Sequence, residues 1–136
     1  MTVSQRLQSN AGTAPRYSEE LKAEAGLTAF FSIAEEIGLD TAQQRNLLGE
    51  PGRTLFFEWK KTRQGKLSRD TVERLSYLIG IYKALGILFS RERVAEWLKN
   101  PNHDPLFGGK SPLDYMLAGG LVALADVRRY LDWARG

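Results

Sequence analysis

From Ser18 onward, apolar residues recur along this chain at spacings of three and four, and no stretch alternates polar and apolar as a half-buried strand would. The pattern predicts an all-α protein. Ser18 reads as the cap of a first helix with Glu19 and Glu20 in its first turn, where the helix dipole favours negative charge. Leu27, Phe30, Phe31, Ala34 and Ile37 form its buried face, and Gly38 ends it. Asp40-Thr41-Ala42-Gln43 has the form of a capping box and opens a short second helix that buries Leu47 and Leu48. Gly49-Glu50-Pro51-Gly52 is a tight turn. A third helix follows over about 53–64, with Gly65 as its left-handed stop.

Ser68 caps the longest element, with Asp70 in its first turn. Its apolar stripe is Val72, Leu75, Leu78, Ile79, Tyr82, Leu85 and Phe89, and it breaks at Gly86 or Ser90. Ser90 caps the next helix, in which Val94, Trp97 and Leu98 face inward. Residues 97–120 then hold three prolines and two Gly-Gly pairs, together with the apolar anchors Leu106, Phe107, Leu113, Met116 and Leu117. Ser111 as cap, Pro112 at the first helical position and Asp114 at the third make a strong helix start. After the break at Gly119-Gly120, a last helix over about 122–134 buries Leu124, Val127 and Leu131. Residues 1–17 lack large apolar side chains and are expected to form a mobile tail. The expected division is a tail over 1–17, a helix-turn-helix-like module over 18–66 and a small helical domain over 67–136.

Composition narrows the chemistry. The 136 residues are 43% hydrophobic and 26% charged, as in ordinary globular proteins, and carry a net charge of +3. The absence of cysteine excludes disulfides, thiol catalysis and thiolate metal sites. No apolar run approaches the ~18 residues of a membrane span, and the polar start has no signal-peptide core. A cytoplasmic location is expected. His103 is the single histidine and Asp104 alone does not complete a metal site with it. Asp104, Asp114, Asp126 and Asp132 show no paired spacing for acid–base work. Gly108-Gly109-Lys110-Ser111 resembles a phosphate loop but lacks the first glycine and a preceding strand. No enzyme activity, cofactor or metal is expected, so function must reside in surfaces.

Two surfaces stand out. Between Arg53 and Arg69 lie six basic residues and one acid, Glu58. On the third helix Leu55, Phe56 and Trp59 share one face, while Arg53, Phe57, Lys60, Lys61 and Gln64 share the other. Two short helices around a glycine turn, the second of them basic, have the order of a helix-turn-helix. Arg53, Lys60, Lys61, Gln64 and Lys66 are the candidate DNA contacts, with cations on phosphates and Lys61 or Gln64 at base edges. The competing reading is a solvated charged face. Phe57 lies among the cations and fits contact with another helix, a subunit or DNA. The second surface is the closing Arg128-Arg129-Tyr130-Leu131-Asp132-Trp133-Ala134-Arg135-Gly136. Aromatic and arginine residues at a projecting tip are enriched among binding hot spots, whereas Trp133 could instead complete the core.

One resemblance ties these features together. Leu67-Ser68 heading a long helix, Ala95-Glu96-Trp97-Leu98 before Pro101-Asn102, and then Phe107-Gly108-Gly109-Lys110-Ser111-Pro112-Leu113-Asp114 with a closing helix over 120–136 look like the Xre/MbcA/ParS antitoxins. The likeness covers roughly residues 24–136 and is most specific in the C-terminal, toxin-binding half. It implies a partner toxin with a RES domain that consumes NAD or uses it for ADP-ribosylation. It also implies that the antitoxin's C-terminal tip covers the toxin's NAD pocket, a role that falls here on Trp133 and Arg135, flanked by Arg128, Arg129 and Asp132. Such antitoxins typically dimerise and often repress their own operon, so a homodimer on operator DNA is expected. The alternative is a stand-alone regulator whose C-terminal domain only dimerises.

Overall fold

A computed structural model of the protein describes residues 14–136, with side chains from residue 19 onward. Among the described residues six helices follow one another: α1 Ala14–Ile37, α2 Thr41–Leu47, α3 Arg53–Thr62, α4 Arg69–Leu88, α5 Arg91–Lys99 and α6 Pro112–Arg135. Among the described residues there is no strand, as the periodicity requires. The tail expected over 1–17 lies outside the described residues up to residue 13.

Local signals account for most of the helix starts. The Asp40 carboxylate accepts the Gln43 N–H at 2.7 Å and the Gln43 side chain accepts the Asp40 N–H at 2.9 Å, a closed capping box at the start of α2. Ser68 Oγ accepts the Thr71 N–H at 3.1 Å and Ser111 Oγ the Asp114 N–H at 3.0 Å, opening α4 and α6. Ser90 occupies the cap position of α5 without a side-chain bond. Ser18 does not open α1. The helix begins four residues earlier, where Pro15 sits in the first turn and its missing N–H leaves no helical bond unmade.

The end of α3 also departs from expectation. It stops at Thr62, and Arg63, not Gly65, takes the left-handed conformation, with φ of 60°. Arg63 is held there by its N–H to the Trp59 carbonyl at 2.8 Å and by its guanidinium over the Phe31 ring at 4.7 Å. Gly65 serves a different purpose. A Cβ at that position would stand 2.5 Å from Trp59 Nε1, so only glycine lets the chain cross the buried indole.

At the centre, α4 packs against α1 on one side and α6 on the other. Its buried residues are Thr71, Leu75, Ile81, Ala84 and Leu85, while Val72 is 50% exposed. A single stripe was therefore too simple: Ile81 and Ala84 belong to a second buried face, and Val72 falls on the remaining open one. Gly86 lies inside α4, which runs on to Leu88. The core is one continuous cluster, with Leu27, Phe30, Leu48, Phe56, Leu85, Leu124, Val127 and Leu131 almost fully buried.

The α5–α6 loop is closed on itself. Asn102 N–H donates to the Lys110 carbonyl at 3.1 Å and the Asn102 carbonyl accepts from Gly109 at 2.9 Å, while Phe107 is buried beneath. In α6, Gly120 adopts φ 64° and ψ −147°, outside the helical region and costly for any side chain, so the helix is broken into segments 112–119 and 121–135. The first segment is tied back to α2 by Asn46 Nδ2 donating to the Leu117 carbonyl at 3.1 Å.

Candidate functional site

The turn between α2 and α3 is pinned from below. Arg45 Nε and Nη2 both donate to the Pro51 carbonyl, at 3.1 and 3.0 Å. Gly49, at φ 92°, sits where a Cβ would come within 2.8 Å of the Asp70 carboxylate. That carboxylate accepts Arg74 Nε at 2.8 Å, and Arg74 Nη1 lies 3.4 Å from the Asn46 carbonyl. A rigid turn fixes the direction in which α3 presents its outer face.

On that face Arg53, Phe57, Lys60 and Lys61 are exposed; Gln64 and Lys66, expected beside them, are exposed too but lie past the end of α3, beyond the left-handed Arg63. Arg53 sets its guanidinium 5.6 Å from the centre of the Phe57 ring. Of the six basic residues around α3, Arg63 is turned inward onto Phe31 and Arg69 pairs with Glu73 at 3.2 Å. Arg53, Lys60, Lys61 and Lys66 make no ion pair among the described residues. Leu55 corrects the expected partition, being 44% exposed while Phe56 and Trp59 are buried. It lies at the margin of the core-facing arc, where no helix reaches it.

The second surface is the end of α6. Aromatic rings lead out to it: Phe89 to Trp97 at 6.3 Å, Trp97 stacked on Tyr130 at 6.5 Å, and Tyr130 to Trp133 at 6.5 Å. Phe107 meets both Trp97 and Tyr130 edge-on, at 5.7 and 5.4 Å. Trp133 is 78% exposed and so does not complete the core. Burial, and then the negative charge of the nearby Asp104 carboxylate, raise the Tyr130 phenol above its ordinary pKa. Burial and the bond to Asp126, at 3.0 Å, do the same for Tyr115. Both remain neutral, and the Tyr115 hydroxyl braces α6 through its bond to Asp126.

The five tip residues divide by position. Arg129, Asp132, Trp133 and Arg135 are exposed. Asp132 Oδ1 lies 3.4 Å from Arg128 Nη1 and 3.8 Å from Arg135 Nη1, so one carboxylate faces both guanidinium groups. Arg128 is partly buried and donates from Nη1 to the Gly80 carbonyl at 2.7 Å. It braces the tip as much as it lines it. No hydrogen bond, ion pair or ring contact joins the α3 face to the tip among the described residues. Sequence reasoning missed Tyr130, Gly80 and Asn46, whose partners lie far along the chain and leave no local signal.

Among the described residues no three His, Asp or Glu side chains gather as a metal site requires, and no helix is long and apolar enough to cross a membrane.

An all-α chain with a braced helix-turn-helix, followed by helices that share its core and end in an exposed aromatic tip, is a helix-turn-helix protein carrying a second helical part. Residues 18–80 match the antitoxin Xre-like helix-turn-helix domain, and residues 84–136 match the antitoxin Xre/MbcA/ParS C-terminal toxin-binding domain. The chain belongs to the Xre/MbcA/ParS antitoxin family. It is also 48% identical over 126 residues to "Uncharacterized protein y4oB" of Sinorhizobium fredii, spanning 92% of this chain and 95% of the relative. The C-terminal match makes a toxin the partner of that half, and proteins of these families are typically non-enzymatic.

Proposed function

We propose that this antitoxin inhibits a RES-domain toxin, one that consumes NAD or uses it for ADP-ribosylation, by covering the toxin's NAD site with its C-terminal tip. The observation that carries this reading is Trp133, 78% exposed at the end of a path of aromatic rings. A large apolar ring held in water by a rigid support suits insertion into a partner. Beside it, Arg135 offers a planar fork of donors suited to carboxylates or to the polar groups of a dinucleotide pocket. Arg129 and Asp132 flank the contact, and Arg128 holds the helix in place.

A second activity, repression of its own operon by a homodimer, is supported by Arg53, Lys60 and Lys61 on α3 and by Lys66 just beyond it, which make no ion pair among the described residues. In this division of labour residues 18–66 meet DNA and 67–136 meet the toxin, in the cytoplasm. The stand-alone regulator remains the competing reading, and the C-terminal match to a toxin-binding domain disfavours it.

Co-expression with the neighbouring gene tests the proposal. Growth and cellular NAD should be preserved by the full chain and lost when residues 133–136 are removed or Arg135→Glu is introduced. Continued protection by both variants would remove the tip from the mechanism.

A further inference from the structure

We propose that Phe57 is a base-reading residue whose ring meets thymine C5-methyl groups in the major groove. The proposal rests on the DNA-binding reading of α3 and adds to it a source of sequence preference.

Phe57 is 42% exposed, whereas Phe30, Phe31, Phe56 and Phe107 are buried. It also packs against two neighbours. The Phe56 ring meets it nearly edge-on at 5.2 Å, and the Arg53 guanidinium lies 5.6 Å from its centre. A packed ring loses little conformational freedom on binding, and its apolar area remains available to a partner.

Its surroundings define that partner's charge. At about 100° per residue, Arg53, Phe57, Lys60 and Lys61 fall within roughly 100° of arc on α3, with Phe57 near the middle. Glu58 lies outside this arc. Since the three cations have no carboxylate partner among the described residues, the occupant must be anionic around an apolar centre. A second copy of this chain docking through the same face would set cations against cations and leave the charges uncompensated. A purely apolar protein surface would bury them unpaired. The major groove meets both demands: its walls are phosphates, and the thymine methyl is the apolar group on its floor. In a helix-turn-helix the second helix, here α3, enters that groove.

The test uses the double-stranded DNA upstream of the chain's own coding sequence, prepared once with thymidine and once with deoxyuridine throughout, so that only the methyl groups differ. Fluorescence anisotropy should show the wild-type chain binding the deoxyuridine probe about four-fold more weakly for each methyl group it covers. Phe57→Ala should bind the two probes equally, and Phe57→Leu should retain part of the preference. The leucine variant serves if the alanine variant does not fold. Equal wild-type affinity for both probes, or an unchanged preference in either variant, overturns the role of Phe57 and leaves DNA binding standing. Failure to bind either probe overturns the DNA-binding reading itself, and this role with it. A change in oligomeric mass on Phe57→Ala with the probe preference intact would assign the ring to a contact between copies.

Discussion

Arg128 donates from Nη1 to the Gly80 carbonyl at 2.7 Å, across the seam between α4 and α6 and at a position where a Cβ would stand 2.8 Å from the guanidinium carbon. Glycine in a helix interior is normally unfavourable, and here it opens the space through which a charged side chain reaches backbone. A charged donor to a partly shielded carbonyl contributes ~1–3 kcal/mol. Arg128→Ala should therefore lower stability by about that amount in urea denaturation. Arg129→Ala, on an exposed side chain one position on, should stay within ~0.5 kcal/mol. Equal losses would mean that the seam bond contributes nothing special.

Trp133 provides the opposite case. Because it is 78% exposed, Trp133→Ala should leave the urea midpoint nearly unchanged. If the tip is a hot spot, the same change should weaken toxin binding by ~2 kcal/mol or more, read by calorimetry. Unchanged affinity would move the interface elsewhere on the C-terminal half.

Gly65→Ala should destabilise strongly for its size. The added methyl would lie 2.5 Å from Trp59 Nε1, and the indole is buried among core residues with little room to yield. Overpacking of this kind costs ~1–3 kcal/mol and should shift tryptophan emission. A neutral result would show that the loop over Trp59 can move aside.

Acid stability should depend on Glu36. Its carboxylate accepts from the Tyr82 hydroxyl and the Arg91 guanidinium, in that order of effect, and these bonds hold its pKa below the ordinary value of 4.5. The contribution is present above the unfolded-state pKa and disappears as pH falls through the lower folded value. Glu36→Gln should lose stability at neutral pH and decline less steeply in acid, so the two urea-midpoint curves converge at low pH. The Tyr82 phenol is raised, first by burial and then by the bond to Glu36. Its contribution is lost as pH rises through that raised value, and Tyr82→Phe should flatten the alkaline limb.

Operator binding should be strongly salt-dependent. Lys60→Glu combined with Lys61→Glu should abolish it, whereas Lys66→Ala should lower the slope of log affinity against log salt by about 1 if Lys66 meets one phosphate. A slope unchanged by Lys66→Ala would place that side chain off the DNA.

Elements governed by neighbouring residues were legible in advance. Asp40 with Gln43, and Ser111 with Pro112 and Asp114, satisfy helix-end donors within three residues, so pattern and structure agree. Trp133 was readable only as an alternative, a projecting tip or a last core residue, and its 78% exposure decides for the tip. What escaped depends on distance along the chain. Arg63 takes the left-handed position because Phe31, on α1, receives its guanidinium. Ile81 and Ala84 are buried because α4 is covered on two sides, which a one-face stripe cannot express. Asn46 reaches Leu117 across 71 positions, a pairing with no local trace. In the candidate surfaces, residue types pointed to Arg128 but not to its bond with Gly80.

The helix α4 has a bearing on how such proteins diversify. The two family matches meet inside it, at residues 81–83, while Ile81, Ala84 and Leu85 around that junction are all buried. An exchange of C-terminal halves between relatives at the family boundary would join two helix fragments whose packing partners had never been selected together. A chimera that takes α4 whole with α6 keeps the Arg128–Gly80 bond, but must then match α1 and the Asp70–Arg74 support beneath the α2–α3 turn. The toxin-binding half and the helix-turn-helix can thus be exchanged independently only if the shared helix is re-fitted.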